Sequence, residues 1–200
     1  MYAYICRDHV FGLSNNLYSG NQVHSTVDAV SGKPVLVYSS AAVGIIHDPV
    51  TNQQSFLLGH TDDIVCVAVS GDGRVAATGQ IGKDPYVNVW SLQSRGASTV
   101  RRTGGGVYGG DNDQSSALLH TIGGKTGNSP LFFARGICAV EISPNGRYVL
   151  GVGCDDKHRM GIWDISRNCS MVVDTVVQNG LPPQIKGANI VHVICISICI

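Results

Sequence analysis

An internal repeat constrains the fold of this chain more than any other feature of its sequence. Four pairs of identical residues are each separated by the same 73 positions: Ser70 and Ser143, Gly73 and Gly146, Arg74 and Arg147, and Trp90 and Trp163. Four matches at one spacing indicate two copies of one structural unit. Units of this kind bury their hydrophobic faces against neighbouring copies rather than folding alone.

Each copy predicts three β-strands. In the first copy, an apolar run at 64–69 is followed by a turn, by a second run at 75–79 and, after a loop, by a third at 86–90. Valine and isoleucine are frequent in these runs, which favours strands buried on both faces. Asp72-Gly73 and Asn145-Gly146 predict two-residue hairpin turns, which need positive φ angles. The chain has 25 glycines in 200 residues and only 14% charged side chains, so we predict an all-β fold.

The first copy resembles the WD-repeat superfamily. Gly59-His60 is followed 30 residues later by Trp90, as in the GH…WD signature of these repeats. The resemblance implies a β-propeller of four-stranded blades. It also implies a structural tetrad in each blade, hydrogen-bonded between a histidine, a serine or threonine, an aspartate and a tryptophan. By position, the tetrad of this copy is His60, Thr78, Asp84 and Trp90.

The second copy departs from that pattern. Arg135-Gly136 stands where Gly-His is expected, Gly151 replaces the hydroxyl residue, and Lys157 lies six residues before the tryptophan. We therefore expect a broken tetrad in this blade, with Trp163 and Asp164 remaining as its structural residues.

Further blocks of sequence resemble the echinoderm microtubule-associated protein-like (EML) family. These blocks are Ser14–Tyr18, Ala41–Ile46, Gln54–Ile64, Ala77–Gly82, Pro85–Trp90 and Gly151–His158. In that family a hydrophobic motif called HELP leads into WD-repeat propellers that dock on tubulin and act as scaffolds without catalysis. The resemblance implies a non-enzymatic protein of the cytoplasm and cytoskeleton with protein partners, among them tubulin in microtubules. The alternative is a WD-repeat adaptor for a non-cytoskeletal protein complex.

The predicted organisation has five segments. They are the end of a HELP-like region with a degenerate first blade (1–46), a WD blade (47–94), an insertion loop rich in glycine and serine (95–130), a second WD blade (131–170), and the start of a further blade with an aberrant apolar tail (171–200). These make about three to four blades, whereas closed propellers have about 4–8. We expect an incomplete propeller, and a truncated chain would explain both the missing blades and the tail.

Composition and motifs exclude several function classes. The formal net charge is zero, which argues against a nucleic-acid partner. The apolar run at 191–200 is too short for a membrane span, which needs about 20 residues. Seven cysteines without C-x-x-C spacing predict neither a zinc site nor a dithiol motif, and favour a reducing compartment. No catalytic motif is present, and Gly123–Thr126 lacks the first glycine of a phosphate loop, so we expect no enzyme activity, cofactor or metal.

Overall fold

The computed structural model describes residues 9–13, 23–29, 31–93, 117–124 and 131–177, together with the main chain alone of 187–192 and 195–199. Three four-stranded antiparallel sheets account for most of this part, and within each sheet the strands are neighbours in chain order. Four-stranded meanders of this kind are the blades of a propeller. The prediction of an all-β chain with an incomplete set of WD-type blades is confirmed.

The three sheets are called blades 1, 2 and 3. Blade 1 contains β1 (Val23–Val27), β2 (Pro34–Ser40), β3 (Val43–Asp48) and β4 (Gln53–Leu57); blade 2 contains β5 (Ile64–Val69), β6 (Val75–Gln80), β7 (Val87–Ser91) and β8 (Ala117–Ile122); blade 3 contains β9 (Ile137–Ile142), β10 (Tyr148–Gly153), β11 (Arg159–Asp164) and β12 (Ser170–Val176). A short 3-10 helix (Ile165–Arg167) joins β11 to β12. The main chain at the end of the chain forms a separate hairpin of β13 (Gly187–His192) and β14 (Cys195–Cys199).

The first strands of the blades lie together, with β5 beside both β1 and β9. Successive side chains on a strand point to opposite faces, so β5 contributes to two cores at once. Ile64 packs with Val37 and Leu57 of blade 1, while Val65 packs with Ile137 of blade 3. The three inner strands of blade 2 (β5, β6 and β7) are therefore buried on both faces, which is why they are almost continuously apolar.

The turns that join the first two strands of blades 2 and 3 are longer than the two residues that the sequence predicted. In blade 2 the hairpin closes at Ser70, whose N–H donates to the carbonyl of Val75 at 2.9 Å. The hydroxyl oxygen of Ser70 also accepts from the N–H of Val75, so four residues lie in the turn. The prediction of a two-residue turn is wrong because only Gly73 has a positive φ, +67°. A side chain at Gly73 would collide with the carbonyl oxygen of Val27, so glycine allows neighbouring turns to nest.

Blade boundaries are displaced by one strand from the predicted segments. Strand β4 falls in the segment predicted as 47–94 but completes blade 1, and β12 completes blade 3 rather than starting a further blade. The predicted insertion loop 95–130 contains β8, the outer strand of blade 2. The repeat of the sequence covers three strands, whereas the sheet recruits its fourth strand from the next stretch of chain. Residues 95–116 and 125–130 of that loop lie outside the described residues.

The two ends of the predicted organisation are described in part. Of the predicted HELP-like region, residues 9–13 lie against blade 1, where the Gln54 amide accepts from the N–H of Val10 at 2.7 Å and donates to its carbonyl at 3.1 Å. Residues 1–8 and 14–22 lie outside the described residues. In the predicted apolar tail, β13 pairs with β14 and lies beside β9.

Glu141 is the single glutamate of the chain, and it lies on the face of blade 3 that points away from blade 2. Val140 and Ile142 on either side of it belong to the core between the two blades. Burial raises the pKa of the Glu141 carboxyl to about 7. A carboxyl that is hard to ionise in the folded state destabilises the protein at pH values where it must carry charge.

We expect Glu141→Gln to stabilise the chain at alkaline pH. The folded state keeps the Glu141 proton up to about pH 7, whereas the unfolded chain releases it near its ordinary pKa of about 4.3. Stability therefore falls as pH rises from about 4 to about 7. The variant lacks this loss, and we expect it to gain about 1–3 kcal/mol at pH 8 relative to pH 4. Urea unfolding across this pH range, followed by circular dichroism, checks it, and a gain that does not change with pH would contradict it.

Candidate functional site

Three of the predicted tetrad residues, His60, Thr78 and Trp90, are linked by hydrogen bonds in blade 2, and we call this group the blade 2 corner. The indole N–H of Trp90 donates to Thr78 Oγ1 at 2.7 Å, and Thr78 Oγ1 lies 2.6 Å from His60 Nε2. An indole N–H can only donate, so the Thr78 hydroxyl is free to donate its own proton to His60 Nε2. The other ring nitrogen, Nδ1, then carries the proton and donates to the side-chain oxygen of Gln80 at 2.8 Å.

Gln80 takes the place predicted for Asp84. The Asp84 side chain is exposed. Its main-chain carbonyl accepts a hydrogen bond from Gln80 Nε2 at 3.2 Å, and this bond is the link between Asp84 and the blade 2 corner. Gln80 is two residues after Thr78 on β6, so both side chains point to the same face of the sheet. The predicted role of the Asp84 carboxylate is wrong for this structure. The period of two along β6 was the signal that could have identified Gln80.

The backbone and an aromatic ring close the site around His60. The Tyr86 ring stacks on the imidazole with the ring centroids 5.2 Å apart and the planes 7° from parallel. Its hydroxyl donates to the carbonyl of Gly59 at 2.8 Å. Gly59 has φ +156°, and a Cβ there would lie 3.2 Å from the Trp90 ring. The Gly-His pair therefore brings the strand entry close to the tryptophan, as only glycine permits without displacement.

The surroundings keep His60 neutral. Burial lowers the pKa of its imidazole to about 4, partly opposed by the hydrogen bond to Gln80. Both ring nitrogens already have partners, so neither is available to a substrate or a metal ion. In this geometry His60 links strands of blade 2 and does not act as a reactive base.

Blade 3 holds the equivalent corner with aromatic packing. The repeat spacing of 73 places Phe133 at the position of His60 and Gly151 at the position of Thr78. Phe133 is fully buried, and its ring centroid lies 5.8 Å from that of Trp163. Phe132 meets Trp163 edge-on at 5.0 Å. The sequence argument placed Arg135-Gly136 at this position, and the structure corrects it to Phe133, whose ring fills the space that Gly151 leaves open.

Asp164 ties two turns of blade 3 together. Its buried carboxylate accepts hydrogen bonds from Arg147 Nη2 at 2.8 Å and from the N–H of Ser166 at 3.0 Å. The bond from Arg147 holds the pKa of this carboxyl down at about 2, with the Ser166 contacts adding to the effect. Lys157, at the tetrad aspartate position of this blade, is exposed in the loop after β10.

The acidic loop after β10 is organised by local hydrogen bonds. Asp155 Oδ1 accepts from the N–H of Lys157 at 3.0 Å, and Asp156 pairs with Arg135 at 2.7 Å on the exposed surface. The His158 ring points inward, where Nδ1 lies 2.7 Å from the carbonyl of Gly153. Within the described part of the chain, no three histidine, cysteine or acidic residues are arranged to hold a metal ion. In the same residues, no helix is long and apolar enough to cross a membrane.

The chain is similar in sequence to known WD-repeat proteins, in agreement with the four-stranded blades. Residues 51–91 match the family described as WD domain, G-beta repeat. Echinoderm microtubule-associated protein-like 2 of Rattus norvegicus is 30% identical over 154 residues, which cover 72% of this chain and 19% of that protein. The 77 kDa echinoderm microtubule-associated protein of Lytechinus variegatus is 30% identical over 137 residues, covering 64% of this chain and 17% of that protein. The chain thus spans about a fifth of the length of these relatives.

Two further comparisons are more distant. Centriole proteome protein 16 of Chlamydomonas reinhardtii is 24% identical over 121 residues, covering 58% of this chain and 6% of that protein. Among solved structures, a chain of the humanized mutant Chaetomium thermophilum Polycomb Repressive Complex 2 superposes with a TM-score of 0.57 at 16% identity, covering 84% of this chain and 33% of that chain. At that identity the likeness shows the fold alone.

The two tryptophans provide a matched test of the two corners. Trp90→Phe removes an indole N–H that donates to Thr78. Trp163→Phe removes a similar ring volume, but among the described residues the structure shows ring contacts and no hydrogen bond for the Trp163 side chain. We expect Trp90→Phe to lower the free energy of unfolding by about 1 kcal/mol more than Trp163→Phe. Urea unfolding followed by far-ultraviolet circular dichroism measures both, and equal losses would count against the hydrogen-bonded corner.

His60 predicts a pH dependence that a neutral substitute removes. The unfolded chain takes up a proton at His60 near pH 6.5, whereas the folded state resists protonation down to about pH 4. Stability therefore falls as pH decreases from about 6.5 to about 4, by up to about 3 kcal/mol. The difference in unfolding free energy between wild type and His60→Gln is expected to narrow by that amount over this range. Parallel pH profiles for the two proteins would contradict the burial of a neutral imidazole.

Proposed function

We propose, from the premise that this chain is a WD-repeat protein related to the echinoderm microtubule-associated protein-like proteins, that it serves as a non-enzymatic scaffold which binds microtubules. The observation that carries the proposal is the match to microtubule-associated relatives over 64% to 72% of the chain. A named centriole protein among the more distant matches supports the same cytoskeletal setting. We also propose that the protein is located in the cytoplasm, on cytoskeletal structures.

The architecture suits a binding scaffold. The polar groups of the blade 2 corner form hydrogen bonds with one another. The neutral His60 ring lies between Gln80 and Thr78, its two hydrogen-bond partners. Several exposed charged side chains, among them Arg74, Lys83 and Lys157, lie instead on the turns between strands. A rigid set of blades that presents polar turns can contact a large protein surface without any catalytic group.

The two ends of the blades carry separate sets of basic residues. Lys83 and Lys157 are exposed at the end that also carries Gly59, which we call the Gly59 end. Arg74 and Arg167 are exposed at the opposite end, which we call the Arg74 end. Tubulin presents acidic tails, so basic turns at one end are the natural contacts. The formal net charge of zero means that attraction must come from such local groups.

Co-sedimentation with taxol-stabilised microtubules tests the proposal. We expect the folded chain to pellet with microtubules at low salt and to be released as salt increases, because ionic strength screens exposed charges. Charge reversal at the contacting end, by Lys83→Glu with Lys157→Glu or by Arg74→Glu with Arg167→Glu, is expected to weaken binding, while the other pair serves as the matched control. Absence of pelleting at low salt would overturn the microtubule proposal.

Two further outcomes of this experiment would also contradict the microtubule proposal. Equal weakening by both charge-reversed pairs would show unspecific electrostatic attraction, which contradicts a docking face. If the folded chain fails to pellet but captures a defined non-cytoskeletal complex, the adaptor alternative replaces the scaffold of microtubules. Circular dichroism of each variant shows beforehand that the blades are intact.

A further inference from the structure

Two cysteine side chains meet at the edge of blade 3. Cys138 lies on β9 and is 3% exposed, and Cys154 follows the last residue of β10 and is half-buried. The register between β9 and β10 shifts at Val152 and Gly153, and the N–H of Cys154 donates to the carbonyl of Gly136 at 2.9 Å. These features bring both cysteines into one apolar cluster.

The two thiols are unequal partners. Cys138 Sγ lies 3.3 Å from the carbonyl oxygen of Gly153, 3.4 Å from that of Val152 and 3.9 Å from His158 Nδ1. A hydrogen bond from the Cys138 thiol lowers the pKa of Cys154, while the same contact and burial raise the pKa of Cys138. The pair therefore holds one proton firmly on the buried sulfur and leaves the more accessible sulfur as the nucleophile.

We propose that Cys138 and Cys154 are a redox pair that a peroxide converts into a disulfide. The inference concerns a modification site and does not depend on the microtubule proposal. Its geometric basis is that Cys154, at the end of β10, packs against the apolar cluster that contains Cys138 of the paired strand β9. Neither cysteine has a role in the hydrogen bonds of the blade 2 corner.

The chemistry balances with hydrogen peroxide as oxidant. The Cys154 thiolate attacks one peroxide oxygen, the O–O bond breaks, and the departing hydroxide takes up a proton to leave as water. The sulfur of Cys138 then attacks the sulfur of the Cys154 sulfenic acid. The S–O bond breaks, and the departing hydroxide leaves as a second water with the proton of Cys138. Two thiols lose two electrons in total, and one peroxide gains them.

Formation of this bond would affect an exposed part of the blade. Cys154 begins the loop that carries Asp156, the partner of Arg135 on the surface. A disulfide to Cys138 would tie this loop to the first strand of the blade. Oxidation would therefore restrict the loop at the Gly59 end, and a dithiol reductant would release it.

The chain contains its own control thiol. Cys169 is half-buried, as Cys154 is, but burial raises the pKa of Cys169 to about 11. Cys66 is buried between blades 2 and 3, where its sulfur lies 3.8 Å from the carbonyls of Gly79 and Ile137. Burial, and to a lesser extent the nearby Cys154, raises the pKa of Cys66, so Cys66 is a neighbour of the proposed pair and not an independent control. Because Cys169 and Cys154 are both half-buried but have different neighbours, Cys169 is the matched comparison for Cys154.

Alkylation of the wild-type protein is the first test. We expect iodoacetamide at pH 7.5 to modify Cys154 at least about tenfold faster than Cys169, because the thiolate is the reacting species. Peptide mapping by mass spectrometry reads out each site separately. An equal or faster rate at Cys169 would overturn the assignment of Cys154 as the nucleophile.

Peroxide treatment is the second test. We expect the wild-type protein to yield a peptide pair joined between Cys138 and Cys154, lighter by two hydrogens and restored by dithiothreitol. A disulfide to another cysteine, or a sulfinic acid on Cys154 with Cys138 still reduced, would overturn the proposal. This readout uses the unmodified sequence, so it decides even if a variant fails to fold.

Two variants at Cys138 separate its two roles. Cys138→Ser keeps a hydrogen-bond donor, so alkylation of Cys154 is expected to stay fast while disulfide formation is lost. Cys138→Ala removes the donor and is expected to slow alkylation of Cys154, with its sulfenic acid then trapped by dimedone. Equal alkylation rates in the serine and alanine variants would show that the donor has no effect and would contradict the pairing.

Discussion

The burial of blade 2 between two other sheets is the constraint on which the rest of this structure depends. Its first strand sends Ile64 into the core with blade 1 and Val65 into the core with blade 3. A sheet buried on both faces cannot be stable alone, because each face needs an apolar partner. The same demand is consistent with the low content of charged residues in the chain.

Two different physical solutions hold the corners of blades 2 and 3. In blade 2 a polar chain runs from Trp90 through Thr78 to His60, and it makes the fold sensitive to protonation of a buried imidazole. In blade 3 the equivalent positions hold Phe133 and Gly151, and the tryptophan is fixed by ring contacts. Hydrogen bonds fix the orientation of the side chains but require burial of polar groups. Aromatic packing requires no hydrogen-bond donor or acceptor. Copies of one repeat can therefore diverge at the corner while keeping the same sheet.

The reactive chemistry of the described residues lies away from the feature that marks the family. His60 is neutral and has partners at both nitrogens, which suits a structural link in a scaffold. The proposed redox pair, Cys138 and Cys154, belongs instead to the apolar cluster of blade 3. In the proposed scaffold, the polar turns contact the partner and oxidation of the two thiols restricts one of those turns.

The sequence by itself determined the repeat, the positions of the three inner strands of blades 2 and 3 and the all-β class, because periodicity and turn residues act over short stretches of chain. It also identified His60, Thr78 and Trp90 as residues at one corner. The period of two along β6 also put Gln80 on the same face as Thr78, although its role in place of Asp84 became evident only in the structure. The fold decided that β8 and β12 are the fourth strands and that Cys154 packs against the cluster that contains Cys138. These last two outcomes depend on loop paths and on the register between strands. Local sequence patterns do not encode either one, since a shift of a single residue turns a side chain to the opposite face.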